Sequence, residues 1–328
     1  MLATVLLPIC LIVFLGYWAV LRGYIASANL QPLSQFVIKV SLPAFLLQAL
    51  AGKNLAEIWH PAYFLGYGGG SLLLFVLAYW VCRKMFSQPM TQASVLAMGA
   101  SMSNTGFIGT AILTLLLGSH SAVYLSLTLI IENLIIMTLM LILAEKGLYQ
   151  NALDASGQHM LNRSQRLSQQ GTLFFSLLKR LLQNPVILAI IIGLSCVLLQ
   201  LKLPAALAQV LEMLGKTASP LALFVIGGSL VRMKLSSINL QSAVLVCFKV
   251  LLMPLTIFGL LWLLDVSREM LFVGTLLAAL PMPVAFGIFA QHYGLNEKAL
   301  APLVVSTVAG FIAVGLLLSQ SAAFIAVP

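Results

Sequence analysis

The sequence predicts an all-α polytopic membrane protein: ten transmembrane helices forming two inverted five-helix repeats, with helices 4 and 9 broken. Three observations predict this. Of 328 residues, 61% are apolar and only 8% charged, with a mean hydropathy of +1.06, more hydrocarbon than a water-soluble core needs. Apolar stretches near twenty residues recur along the chain, and each is long enough to cross a bilayer core of about 30 Å as a helix. Finally, landmarks recur at one offset of 177 positions: Asn104 falls on Pro281 (281 − 104), Pro8 on Pro185, Gly16 on Gly193, Lys39 on Lys216 and Pro43 on Pro220. Five matches in one register point to a duplicated unit.

The spans fall at 2–21, 32–51, 61–82, 91–113, 120–144, 185–201, 206–231, 239–264, 270–290 and 299–326. Their ends carry Arg22, Lys53, Arg83-Lys84, Glu145-Lys146, Lys202, Arg232 with Lys234, Asp265 and His292. The first is a retained span, not a secretory signal. Nothing basic precedes Leu2, and Arg22 follows the apolar run instead of leading it.

An exterior N-terminus then places eleven basic residues inside: Arg22, Arg83, Lys84, Lys146, Arg163, Arg166, Lys179, Arg180, Arg232, Lys234 and Lys298. Lys53, Lys202 and Arg268 lie outside, while Lys39, Lys216 and Lys249 sit within spans. The net charge of +9 is therefore topological, and no nucleic-acid partner is expected. Both termini are expected outside a bacterial cytoplasmic (inner) membrane. Residues 1–144 form the first five-helix repeat, 145–178 a polar cytoplasmic linker and 179–328 the second repeat. Leu173 to Leu182 has the composition of a helix lying along the membrane surface.

Five spans per copy, an odd number, force the second copy to enter from the opposite side. Inverted repeats with broken helices meeting at the midplane are the architecture of alternating-access carriers. The first break lies in Ser101-Met102-Ser103-Asn104-Thr105-Gly106-Phe107-Ile108-Gly109-Thr110, the second in Leu280-Pro281-Met282-Pro283-Val284-Ala285-Phe286-Gly287. Gly106, Pro281 and Pro283 are expected to interrupt the helices, freeing backbone groups that hydrocarbon cannot satisfy. The restarted half-helices point their positive N-terminal ends at the midplane, which suits a carboxylate. Ser103, Asn104, Thr105, Gly106, Pro281, Met282 and Pro283 are accordingly candidate substrate-binding residues. A pair of ordinary kinks sealed by neighbouring helices is the structural alternative.

Charges inside spans are costly and informative. Glu212 and Lys216, four apart, read as a structural ion pair near a helix end. Lys39 is a further candidate substrate contact, or it snorkels to the surface. Glu132 with Asn133, and Lys249, form a candidate charge pair or coupling group. Cys10, Cys82, Cys196 and Cys247 lack metal or disulfide spacing and read as packing residues, so no cofactor or metal is expected. The GxxxG spacing at Gly66 and Gly70 reads as a close-packing site.

Ser103-Asn104-Thr105-Gly106-Phe107-Ile108-Gly109, Lys249-Val250-Leu251-Leu252-Met253-Pro254 and Leu280-Pro281-Met282-Pro283, within a ten-span layout, resemble the auxin efflux carrier family over nearly the whole chain. That family includes plant auxin exporters and bacterial malonate and malate permeases, and its fold is similar to that of bile acid sodium symporters. The resemblance implies a scaffold of spans 1, 2, 6 and 7, a transport domain of spans 3–5 and 8–10, and spans 4 and 9 crossing. A homodimer through the scaffold helices is a further expectation. By the same resemblance, Lys249 takes the electrostatic place of a sodium ion, with proton coupling through Glu132 as the competing idea. Where some relatives have adjacent prolines, this chain has Pro281-Met282-Pro283.

The function expected is secondary transport of a small organic anion, a mono- or dicarboxylate. An anion-selective channel would show a regular filter or polar stripe, which is absent from the sequence. An intramembrane enzyme would need catalytic residues at depth, yet both aspartates, Asp154 and Asp265, and all four histidines, His60, His120, His159 and His292, lie in loops or at span ends.

Overall fold

The computed structural model describes residues 2–51, 60–117, 121–155, 183, 185–201, 203–231 and 239–320. All regular secondary structure among them is helical. Seven helical stretches are long and apolar enough to cross a membrane, and Cys10–Leu21 and Pro185–Leu198 are shorter apolar helices. The chain is a multi-pass membrane protein.

Helix α1 covers Leu2–Leu21 and ends where Gly23 adopts a positive φ of 75°. The next stretch runs through α2 (Leu30–Phe36), a π-helical turn at Val37–Ser41 and α3 (Leu42–Ala51). Pro61 opens α4 (Pro61–Tyr63), which continues through a π-turn at Phe64–Gly68 into α5 (Gly69–Lys84). Helix α6 (Met90–Ser101) stops, and the chain restarts as a π-turn at Thr105–Gly109 and α7 (Thr110–Leu117). Then come α8 (Ser121–Ile130), a π-turn at Ile131–Met137 and α9 (Thr138–Ala155).

In the second half, α10 is Pro185–Leu198, followed by α11 (Ala205–Lys216) and α12 (Ala218–Leu230). Helix α13 (Leu240–Cys247) is capped by Asn239, whose Oδ1 accepts the Ser242 N–H at 3.0 Å. It continues through a π-turn at Phe248–Leu252 into α14 (Met253–Leu263). Ser267 caps α15 (Arg268–Ala279) by accepting the Met270 N–H at 3.2 Å. After the second break come α16 (Val284–His292), closed by Gly294 at φ 75°, and α17 (Asn296–Ser319).

The first-half expectation needs two adjustments. Helix α9 continues to Ala155, well past 144 and into the stretch read as linker. Gly106 does not make the break: residues 102–104 are non-helical, while Gly106 lies inside the restarted π-turn. A Cβ there would meet the Phe45 ring at 3.1 Å, so the missing side chain makes room for that ring. The Leu173–Leu182 helix, most of the linker, the 232–238 loop and the end of the tenth span lie outside the described residues.

Helix packing follows a reciprocal pattern. Helix α1 lies along α12 as α3 lies along α10, and α5 packs on α6 as α14 packs on α15. The first contact is close enough to require glycine on both sides. A Cβ on Gly16 would meet the Phe224 carbonyl, and one on Gly227 the Val13 carbonyl. Gly66 and Gly70 similarly make room for Leu261 and Ile257 of α14. In the Arg268–His292 stretch 94% of an 18-residue apolar window is buried, against 33% for Leu240–Leu263, so the second broken segment is central and α13–α14 peripheral.

Candidate functional site

The two breaks meet. The backbone N–H of Asn104 donates to the carbonyl of Pro281 at 3.1 Å, joining the two positions that the 177-residue offset equates. Proline has no N–H to return the bond. The Asn104 carbonyl instead accepts from the N–H groups of Ile108 and Gly109, both at 3.1 Å, and so starts the second half-helix. On the other strand of the crossover, Leu280 (φ −57°, ψ 152°) and Pro283 (φ −68°, ψ 147°) are extended. The Met282 N–H points to Ser306 Oγ at 3.4 Å.

The breaks have different causes. In the second, Pro281 and Pro283 remove donors and drive the residues before them out of the helical region. In the first there is no proline, and tertiary partners hold the chain open. The Ser103 N–H goes to Glu132 Oε1 at 2.9 Å and the Asn104 N–H to Pro281, instead of each continuing the ladder of α6.

Glu132, Lys249 and Tyr67 converge on Ser103, and all three side chains are fully buried. Lys249 Nζ donates to Ser103 Oγ at 2.6 Å, to the Ala278 carbonyl at 2.8 Å and to Met253 Sδ at 2.9 Å. These three bonds use all three ammonium protons. The Tyr67 hydroxyl donates to Glu132 Oε1 at 3.0 Å and lies 3.4 Å from Ser103 Oγ. The Thr105 hydroxyl also interacts with the Glu132 carboxylate.

The expected Glu132–Lys249 pair is therefore indirect. Among the described residues the salt bridge present is Glu212–Lys216 at 2.6 Å, while Glu132 and Lys249 communicate through Ser103. The ammonium sits where α15 ends, on the carbonyl of Ala278, a place that favours a cation. Neither charge has a counterpart in the other repeat: the 177-residue offset equates Lys249 with Leu72 (249 − 177) and Glu132 with Ala309 (132 + 177).

At the breaks is a cavity of about 30 Å³. Ser103, Asn104, Gly106, Glu132, Asn133 and Pro283 line it together with Val284 and Ala285 of α16, while Leu42 and Phe45 of α3 form the facing wall. The Asn104 side chain makes no hydrogen bond among the described residues. Asn133 Nδ2 is held by the Leu129 carbonyl at 2.7 Å. The polar groups that line this space are an uncommitted amide and the N-terminal end of a half-helix, both suited to an anion, together with the side chain of Glu132. The cavity is large enough to hold a water molecule.

Lys39 is not brought to this cavity. It is exposed in the π-turn at Val37–Ser41, with the imidazole of His292 as a neighbour. Pro281 and Met282 shape the crossover from behind and do not line the cavity.

Sequence reasoning missed the tyrosines. Tyr67 stacks on Tyr63 with centroids 5.7 Å apart, the Tyr63 hydroxyl is 2.7 Å from Thr128 Oγ1, and Tyr124 bonds Glu269 at 3.0 Å. Their four-residue spacings, 63 to 67 and 124 to 128 to 132, were the available signal. The π-turns were also missed. Among the described residues there are five, and three of them carry Lys39, Glu132 and Lys249.

An all-helical membrane fold with two broken helices hydrogen-bonded at their breaks, buried charges beside them and a small polar cavity at the crossover defines a membrane transport protein. The chain belongs to the membrane transport protein family, the auxin efflux carrier family, whose model matches residues 1–318. It is 24% identical over 307 residues to a Rhizobium meliloti (strain 1021) protein named "Putative malonate transporter", covering 92% of this chain and 90% of that one. It is 25% identical over 312 residues to the Escherichia coli (strain K12) "Uncharacterized transporter YfdV", covering 94% and 93%. A mouse "Lysosomal cholesterol signaling protein" is 25% identical over 309 residues, 90% of this chain but 35% of that longer one.

Proposed function

We propose that the protein is a secondary transporter of a small organic anion, a mono- or dicarboxylate, that works by alternating access at the crossover. The observation that carries the reading is the Asn104–Pro281 bond with the uncommitted Asn104 amide and the α16 N-terminus facing one cavity. Ten spans in two inverted repeats supply the framework, supported by the reciprocal contacts of α1 with α12 and α3 with α10. Spans 1, 2, 6 and 7 are the scaffold, and spans 3–5 and 8–10 the moving domain. The protein lies in a bacterial inner membrane with both termini outside.

In this mechanism the two buried charges balance each other. Lys249 ties Ser103 of one break to Ala278 beside the other, the place a bound cation would take, so the crossover moves as a unit. The substrate's negative charge meets the Asn104 amide and the α16 N-terminus. A cavity of about 30 Å³ is too small for a dicarboxylate, so binding one requires the site to widen. Admission needs displacement of the Leu42–Phe45 wall, which belongs to the scaffold, and relative movement of the two domains provides it. The name of the R. meliloti relative makes malonate the first substrate to try.

Counterflow in proteoliposomes tests this reading. Internal unlabelled malonate or malate is expected to accelerate uptake of the labelled anion, whereas a channel shows no such trans-stimulation. Asn104→Ala is expected to weaken apparent affinity about ten- to a hundred-fold, the loss of one hydrogen bond to a charged ligand. The backbone bond to Pro281 survives that substitution. Unchanged affinity in a folded variant removes Asn104 from the site.

A further inference from the structure

A second concavity, about 410 Å³, runs between α13 with its π-turn and α17, on the peripheral side of the molecule. Ala243, Cys247, Val250, Leu251, Val305 and Ala309 line it, and their apolar surface faces outward. From Ser242 to Leu251 the groove follows ten residues of helix, about 13 Å at 1.5 Å for each step between them. One leaflet contributes about 15 Å of a bilayer's hydrocarbon core, so the groove's length matches a single leaflet.

A polar cluster lies at the N-terminal ends of the two helices that form the groove. Gln88 ties the N-terminal ends of both helices together: its Nε2 donates to Gln241 Oε1 of α13 at 3.0 Å, and its Oε1 accepts from Lys298 Nζ of α17 at 2.9 Å. Lys298 also donates to Gln92 Oε1 at 3.0 Å. The ammonium is exposed, meets only neutral amide oxygens, and forms no ion pair among the described residues. Beside it, Gln241 is 8% exposed and its buried Nε2 has no acceptor among the described residues. On α17, Lys298 lies seven residues before Val305 and eleven before Ala309, which places all three on one helix face.

We propose that this groove binds one anionic phospholipid from the leaflet bordering Lys298. An acyl chain lies along Ala243, Cys247, Leu251 and Ala309, the phosphate pairs with Lys298, and a phosphate or ester oxygen takes the spare Gln241 amide proton. The charge selects the occupant. A second copy packed by two-fold symmetry would bring a second unpaired Lys298 toward the first, whereas an anionic headgroup neutralises it. The lipid would support the outer side of the π-turn whose inner side presents Lys249, because Cys247, Val250 and Leu251 flank that residue.

The test uses the purified full-length protein carrying Cys10→Ser, which leaves Cys247 as the exposed thiol among the described cysteines. Native mass spectrometry counts retained lipid, and N-ethylmaleimide labelling of Cys247 locates it, in detergent micelles containing phosphatidylglycerol or phosphatidylcholine. One phosphatidylglycerol is expected to be retained about five-fold more tightly than phosphatidylcholine, the effect of one basic residue near an anionic surface. Its binding should slow Cys247 labelling. Lys298→Gln should erase the preference and Lys298→Arg should keep it, with both variants monodisperse by gel filtration. Equal retention of the two lipids, a preference that survives Lys298→Gln, or retained lipid that leaves Cys247 fully reactive would overturn the proposal. Protection of Cys247 that tracks a dimer mass without lipid would assign the groove to a second copy and overturn it too.

Discussion

Neutralising Glu132 and Lys249 together should cost less than the two single changes added. In Glu132→Gln the amide oxygen still accepts from the Ser103 N–H and the Tyr67 hydroxyl. The buried ammonium of Lys249, however, is left without a counter-charge. Removing one member of a buried charge pair costs about 3–5 kcal/mol. Lys249→Met removes the donors to Ser103 Oγ, Met253 Sδ and Ala278, and strands the Ala278 carbonyl at the end of α15 at a cost of about 1–3 kcal/mol. In the double variant no ammonium remains, so the Glu132→Gln change leaves no charge uncompensated. The combined loss should therefore fall short of the sum by about 1–3 kcal/mol, the usual size of coupling within one hydrogen-bonded network. Unfolding in mixed micelles by added SDS, followed by tryptophan fluorescence, measures each corner of the cycle. Additivity within about 0.5 kcal/mol would show that the two charges do not sense each other through Ser103, and would refute the bridge.

Further outcomes follow from other parts of the fold. Tyr67→Phe deletes the hydroxyl bond to Glu132 while keeping the ring stacked on Tyr63; it should cost about 1.5–3 kcal/mol in the same unfolding assay, and a loss under about 0.5 kcal/mol would contradict the assigned bond. Gly227→Val drives a side chain into the Val13 carbonyl and should destabilise the α1–α12 contact by about 3 kcal/mol or more, read as lost monodisperse protein after heating. For topology, an alkaline-phosphatase fusion after Pro328 should be active and a cytoplasmic green fluorescent reporter there dark; the reverse pattern would overturn the exterior C-terminus.

Much of the fold was legible because hydrocarbon imposes a simple rule on sequence. Apart from α9, which overruns its expected end, the described helical stretches start and stop near their expected positions because a spanning helix needs about twenty apolar residues and its ends need polar ones. Pro281 and Pro283 announced the second break, since a proline's missing N–H acts wherever it stands. The first break showed as polar and helix-breaking residues in an apolar span, and the repeat offset paired it with the second, but its cause was misplaced onto Gly106. That glycine accommodates Phe45, which is distant in sequence.

The sequence by itself determined the membrane class, the family, the paired breaks and the presence of costly charges at Lys39, Glu132 and Lys249. The tertiary structure decided which of these work together. It put Glu132 and Lys249 on the same serine, brought in Tyr67, and left Lys39 exposed away from the cavity. The physical reason is one of range. Hydropathy and proline act locally and can be read in order along the chain, whereas Ser103 leaves its helix only because hydrogen-bond partners 29 and 146 residues away hold its N–H and its hydroxyl.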